Sequence, residues 1–75
     1  MNATPITIEV FKTNVHEVAF AQRLVTLLAT HFPGSKINFD MHDCDKILRV
    51  EGENLIPGNI ASIVRDHGFT CIILD

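Results

Sequence analysis

The 75-residue chain predicts an α+β fold in which a four-stranded antiparallel sheet carries two helices on one face. Three observations lead there. Apolar residues repeat at a period of two, then of about 3.6, then of two again, which reads strand, helix, strand, strand, helix, strand. Pro33-Gly34 and His67-Gly68 close the two helical stretches. Two right-handed strand-helix-strand crossovers joined through a hairpin then leave one economical sheet.

Ile6-Thr-Ile-Glu-Val10-Phe alternates as a half-buried strand does, and Pro5 suits a strand's first position, where no ladder donor is required. The strand is expected to end near Lys12 or Thr13. Asn14 followed by Glu17 matches a helix N-cap with its capping-box partner. Val18, Ala21, Leu24, Val25, Leu28 and Phe32 then form one apolar helical face. Ile37, Phe39 and Met41 alternate with polar neighbours, Asp43-Cys44-Asp45 favours a tight reversal, and Leu48 and Val50 continue the alternation, so residues 37–51 read as a hairpin. Pro57 fits a first helical position, Ile60, Ile63 and Val64 supply the second helix's stripe, and Gly68 its left-handed stop. Phe69 to Leu74 is a last strand, apolar at nearly every position. The result is a single ferredoxin-like βαββαβ domain over residues 1–75, a fold that serves many unrelated functions.

Composition narrows the function classes. A chain of this size buries roughly 60% of its extended surface, one thin core without a deep substrate cleft. Six basic against nine acidic residues give a net charge of -3, and Tyr and Trp are absent. A nucleic-acid surface built from so few cations is not expected. No apolar run approaches the length of a membrane span. The opening Met-Asn-Ala-Thr-Pro lacks a signal-peptide pattern, so a cytoplasmic location and free thiols at both cysteines are expected.

The strand Ile6 to Phe11, Phe32-Pro33-Gly34, Ile37 to Phe39, Leu48 to Val50 and His67-Gly68-Phe69 together resemble the heavy-metal-associated domain of copper chaperones and metal-pumping ATPases. Phe-Lys-Thr-Asn-Val and Asp-Cys-Asp-Lys-Ile-Leu-Arg-Val-Glu more narrowly resemble small stand-alone bacterial proteins of that type. The family's Cys-x-x-Cys lies between its first strand and first helix, where two thiolates hold a soft ion such as Cu(I). Counting along the first strand puts those positions at Val15 and Val18, and counting back from Pro33-Gly34 puts them at Val18 and Ala21. Residues 11–23 contain no sulfur, so the thiolate copper site has no counterpart and no cofactor is expected from it.

Four histidines leave room for a different site. The topology puts His16, His42, Cys44 and His67 at one end of the domain and His31 at the other. His16 and His67, with Asp66 as a carboxylate, suit Zn, Ni or Cu(II). The ordinary reading is that these are solvated residues at helix ends, and that His42-Asp43-Cys44-Asp45 is a plain turn. Catalysis is not expected: there is no phosphate loop after the first strand, and Ser35 and Ser62 stand in no nucleophile elbow.

The open face of the sheet is the surface expected to matter. With Ile6, Ile8 and Val10 turned to the helices, Phe11 and Ile47 face outward. Strand four adds either Cys71 and Ile73 or Ile72 and Leu74. An exposed patch of Phe11, Ile47, Cys71 and Ile73 would mark a protein partner or a homodimer, and strand four is a sheet edge that only Asp75 blunts. The leading expectation is therefore a non-catalytic interaction module. Histidine-based metal binding is the alternative, and a small-molecule sensor built on a dimer interface is the third class.

Overall fold

The computed structural model of the protein describes residues 5–74. The residues 1–4 read for a leader, and the Asp75 read as an edge charge, lie outside the described residues. The elements follow in the predicted order: β1 (Ile6–Thr13), α1 (Val18–His31), β2 (Lys36–Asp40), β3 (Ile47–Glu53), α2 (Pro57–Asp66) and β4 (Cys71–Leu74). The sheet runs β2-β3-β1-β4 with every pairing antiparallel, which is the βαββαβ arrangement of the ferredoxin-like fold.

The core lies between the sheet and the helices. Phe11, Leu48 and Val50 from the sheet meet Leu28 of α1 and Ile60 and Val64 of α2, all fully buried. Both helices end where glycine permits a left-handed backbone, with φ of +84° at Gly34 and +91° at Gly68. Pro57 opens α2 in the first turn, where a missing N–H goes unnoticed.

Two local expectations are corrected. Asn14 does not cap α1, which starts four residues later behind Glu17, a residue in extended conformation that makes no side-chain cap bond. The segment between is held instead by Val15, which is buried in the core. The second correction is the phase of β1. Cross-strand partners share a face of the sheet. Glu9 pairs with core residue Val50 and Phe11 with core residue Leu48. Glu9, Phe11 and Thr13 therefore point toward the helices, and Ile6, Ile8, Val10 and Lys12 point away. With a side-chain period of two, one strand cannot bury both Phe11 and its neighbouring isoleucines on the same face. Phe11 wins because it sits opposite Leu48 at the centre of the sheet, while the stretch from Ile6 to Glu9 pairs with β3 alone among the described residues.

Candidate interaction surface

Three loops converge at one end of the domain, and hydrogen bonds fix them. The Thr13 hydroxyl donates to the Lys46 carbonyl at 2.6 Å and accepts from the Val15 N–H at 3.2 Å. The Thr13 N–H donates to the Asp45 carbonyl at 3.1 Å. Asn14 Oδ1 accepts from the Thr70 N–H at 2.8 Å, tying the β1–α1 loop to the approach of β4. Phe20 of α1 packs against Phe69 beside this tie, with ring centroids 5.7 Å apart.

The β2–β3 turn is also at this end, and its aspartates serve the turn. Asp40 Oδ1 accepts from the N–H groups of His42 and Asp43, and Asp43 Oδ1 accepts from the Asp45 N–H at 2.8 Å. Lys46 takes the left-handed region with φ of 45°. Asp45 forms an ion pair with Lys12 at 3.4 Å. Asp43, Cys44 and Asp45 are the one group of three potential metal ligands whose donor atoms lie within 4.8 Å of one another among the described residues. Their turn bonds and the Lys12 pair already account for that closeness.

His16, Asp66 and His67 are all exposed and do not form such a group. His67, the residue that follows α2, has Nδ1 2.8 Å from the Ile63 carbonyl one turn back, so one ring nitrogen is occupied locally.

The open face differs from the expected one in membership. Phe11 is fully buried, and Cys71 is buried because it pairs with helix-facing Thr13. Ile73 pairs with Phe11 and so belongs to the helix side, where it lies at the sheet edge and is 39% exposed. Ile47 does share the open face, as the partner of Asp40, but only 7% of it is exposed. Of the two choices for β4, Ile72 and Leu74 are the outward pair, beside Lys12 and Val10. The apolar surface is therefore Ile6, Ile8, Val10, Ile72 and Leu74. Ile6, Ile8 and Ile72 are 65%, 58% and 53% exposed. The other half of the face carries Lys36, Asn38 and Asp40 from β2 and Arg49, Glu51 and Glu53 from β3, with Lys36 and Glu51 paired at 3.8 Å.

Assigning β1's isoleucines to the core concealed this stripe. The signal available in the sequence was that Phe11, Thr13 and Val15 form an alternating set of the opposite phase, with the bulkiest residue of the strand in it.

At the β4 edge the backbone is partly used. Because the Thr13 main chain bonds toward β3, Cys71 opposite it turns its own N–H and carbonyl outward. The Arg65 guanidinium takes that carbonyl with Nε at 3.0 Å and Nη2 at 2.6 Å. Arg65 thereby straps α2 to β4 and covers the first outward acceptor of the edge.

Hollows also lie elsewhere on the described residues. A groove of about 530 Å³ between α1 and β2 is lined by Val18, Val25, Ile37, Phe39 and Met41. A more polar one of about 610 Å³ lies at the end opposite the three loops, with His31, Lys36, Glu53 and Asn54 in its walls. No described helix is long and apolar enough to cross a membrane. Comparison with known proteins gives no relative: no family model, no curated protein and no solved structure matches the chain.

Proposed function

We propose that this chain is a non-catalytic interaction module, similar in design to a heavy-metal-associated domain without the thiolate pair, and that it works through the open face of its sheet. One observation carries the reading. β1 places three aliphatic side chains, Ile6, Ile8 and Val10, on the face that no helix covers, while Glu9 points toward the helices. With Ile72 and Leu74 they make a continuous stripe on the few-hundred-Å² scale of patches that bind partners. Scattered aliphatic residues on a surface are ordinary, but five neighbours on one sheet face are not scattered. Fully burying an exposed isoleucine is worth about 1.5–3 kcal/mol, so covering this stripe is a substantial driving force for a domain with so thin a core.

The face is favoured over the edge. Cys71's outward carbonyl is held by Arg65, and β4 spans four residues, which leaves little ladder to extend.

Photocrosslinking in cells tests the reading. A photoreactive residue at Ile8 or Ile72 should trap a discrete polypeptide, whereas the same residue at Thr26, on the exposed surface of α1, should not. No product from either face position, or equal products from all three, would refute it.

A further inference from the structure

We propose that the occupant of the open face is a second copy of this chain, packed sheet against sheet about a two-fold axis perpendicular to the strands. This rests on the interaction reading above and names its partner.

The argument comes from how charge is laid out on the face. β1 presents, in order, Ile6, Ile8, Val10 and Lys12, and β3 beside it presents Glu53, Glu51, Arg49 and Ile47. Glu51 is level with Ile8, and Arg49 is level with Val10. Sheets that pack face to face lie about 10 Å apart with their strands roughly aligned. A two-fold axis along the strands through β1 would lay Arg49 over the partner's Leu74 and Glu51 past that residue, leaving both without counter-charges. An axis perpendicular to the strands keeps the β1 and β3 columns over their own counterparts and reverses their direction, while Ile72 and Leu74, level with Lys12 and Val10, stay on one side of it and flank the partner's β1 stripe. Passing between Ile8 and Val10, it puts Ile8 of one copy on Val10 of the other. It also puts Arg49 of each copy on Glu51 of the other, twice over. A stripe that meets itself in reverse needs such an antisymmetric pair of charges beside it, and β3 supplies one two residues apart. The face as a whole suits self-contact, because Lys12, Lys36 and Arg49 balance Asp40, Glu51 and Glu53 despite the chain's net charge of -3.

The stripe is smaller than the roughly 800 Å² per partner of a stable interface. The dimer is therefore weak and forms with rising concentration rather than being permanent.

Sedimentation equilibrium between about 10 μM and 1 mM tests the arrangement, with wild type, Ile8→Asp, Arg49→Glu and Glu51→Arg, each checked for folding by its thermal transition. Wild type should approach twice the chain mass, and Ile8→Asp should stay monomeric. Arg49→Glu places two acidic pairs across the axis, and Glu51→Arg places two basic pairs there. Each alone should weaken association at least tenfold. An equimolar mixture of these two variants should restore it, because the acidic side chains at positions 49 and 51 of one chain then face the basic side chains at positions 51 and 49 of the other. Association abolished by Ile8→Asp but not restored by mixing would overturn the two-fold arrangement and leave the face reading standing. Association indifferent to Ile8→Asp would overturn both. A wild-type chain monomeric at 1 mM would overturn the second copy as occupant, and a photocrosslinked product of other than twice the chain mass would then identify a different protein as the partner.

Discussion

Asn14 and Thr70, 56 residues apart in the chain, are joined by a 2.8 Å hydrogen bond from the Thr70 N–H to Asn14 Oδ1. This bond holds the loop after β1 against the residue that leads into β4, so an exposed asparagine that looks like a helix cap is a long-range tie. Asn14→Ala should lower stability by about 1 kcal/mol, the usual net worth of one hydrogen bond. The Thr70 amide should exchange faster than in wild type while α1 keeps its helical content. Loss of helicity in α1 with Thr70 exchange unchanged would return Asn14 to a capping role.

Thr13 performs the complementary task from inside the domain. It is the one buried polar side chain among the described residues, and its hydroxyl serves Lys46 and Val15 together. Thr13→Val keeps the shape but leaves the Lys46 carbonyl and the Val15 N–H without that partner. It should lower stability by about 1–3 kcal/mol, the cost of stranding buried polar groups. Thr13→Ser keeps the hydroxyl and should recover most of that loss. Urea unfolding of the two variants separates the explanations, since equal losses would make the methyl rather than the hydroxyl the important part.

The fold was legible because its signals are local. Pro57, Gly34 and Gly68 restrict or permit backbone angles whatever surrounds them, and the 3.6-residue stripe of α1 is long enough to be unambiguous. The face of β1 was not legible in the same way. Ile6-Thr-Ile-Glu-Val10 and Phe11-Lys-Thr-Asn-Val15 are two alternations of opposite phase on one strand and its exit. Which of them turns inward depends on Leu48 and Val50 opposite, a non-local fact. The candidate surface inherited that inversion: Phe11 and Cys71 went from the expected patch into the core, and Ile8 and Ile72 took their places. The histidines illustrate a different limit. Topology brings His16 and His67 to one end of the domain, but the rotamer that ties the His67 ring to the Ile63 carbonyl is set by the geometry of α2.

Arg65 is exposed yet structurally committed, because its guanidinium spans from α2 to the outward Cys71 carbonyl on β4. Arg65→Ala should reduce stability by about 1 kcal/mol, below the range for buried charged hydrogen bonds because solvent competes at this site. It also frees the first acceptor on the sheet edge. The variant should therefore form more irreversible aggregate than wild type when held just below its unfolding midpoint, as light scattering would show. Scattering equal to wild type at matched stability would mean that the strap does not protect the edge.

The two cysteines should behave as different chemical species. Cys44 is exposed and Cys71 buried, so in native protein a thiol reagent should label Cys44 promptly and Cys71 only as the domain unfolds. Burial pushes the Cys71 thiol from 9.0 up to about 11, and the positive charge of Arg65 opposes that rise. The sign of the resulting pH dependence follows from proton counts. Between these two values the unfolded chain has lost the proton that the folded chain retains, so raising the pH favours unfolding. The Cys71 contribution is thus complete below pH 9 and declines as the pH climbs toward 11, a loss of about 2 kcal/mol by the end of that window. Cys71→Ala removes the titrating group at the cost of a small cavity, so it should be less stable than wild type at pH 8 and close the gap by pH 11. Lysines titrate in the same window, and the comparison cancels them because both proteins carry the same ones. A stability difference that stays constant from pH 8 to 11 would show that the thiol ionises as freely in the folded domain as in the unfolded chain.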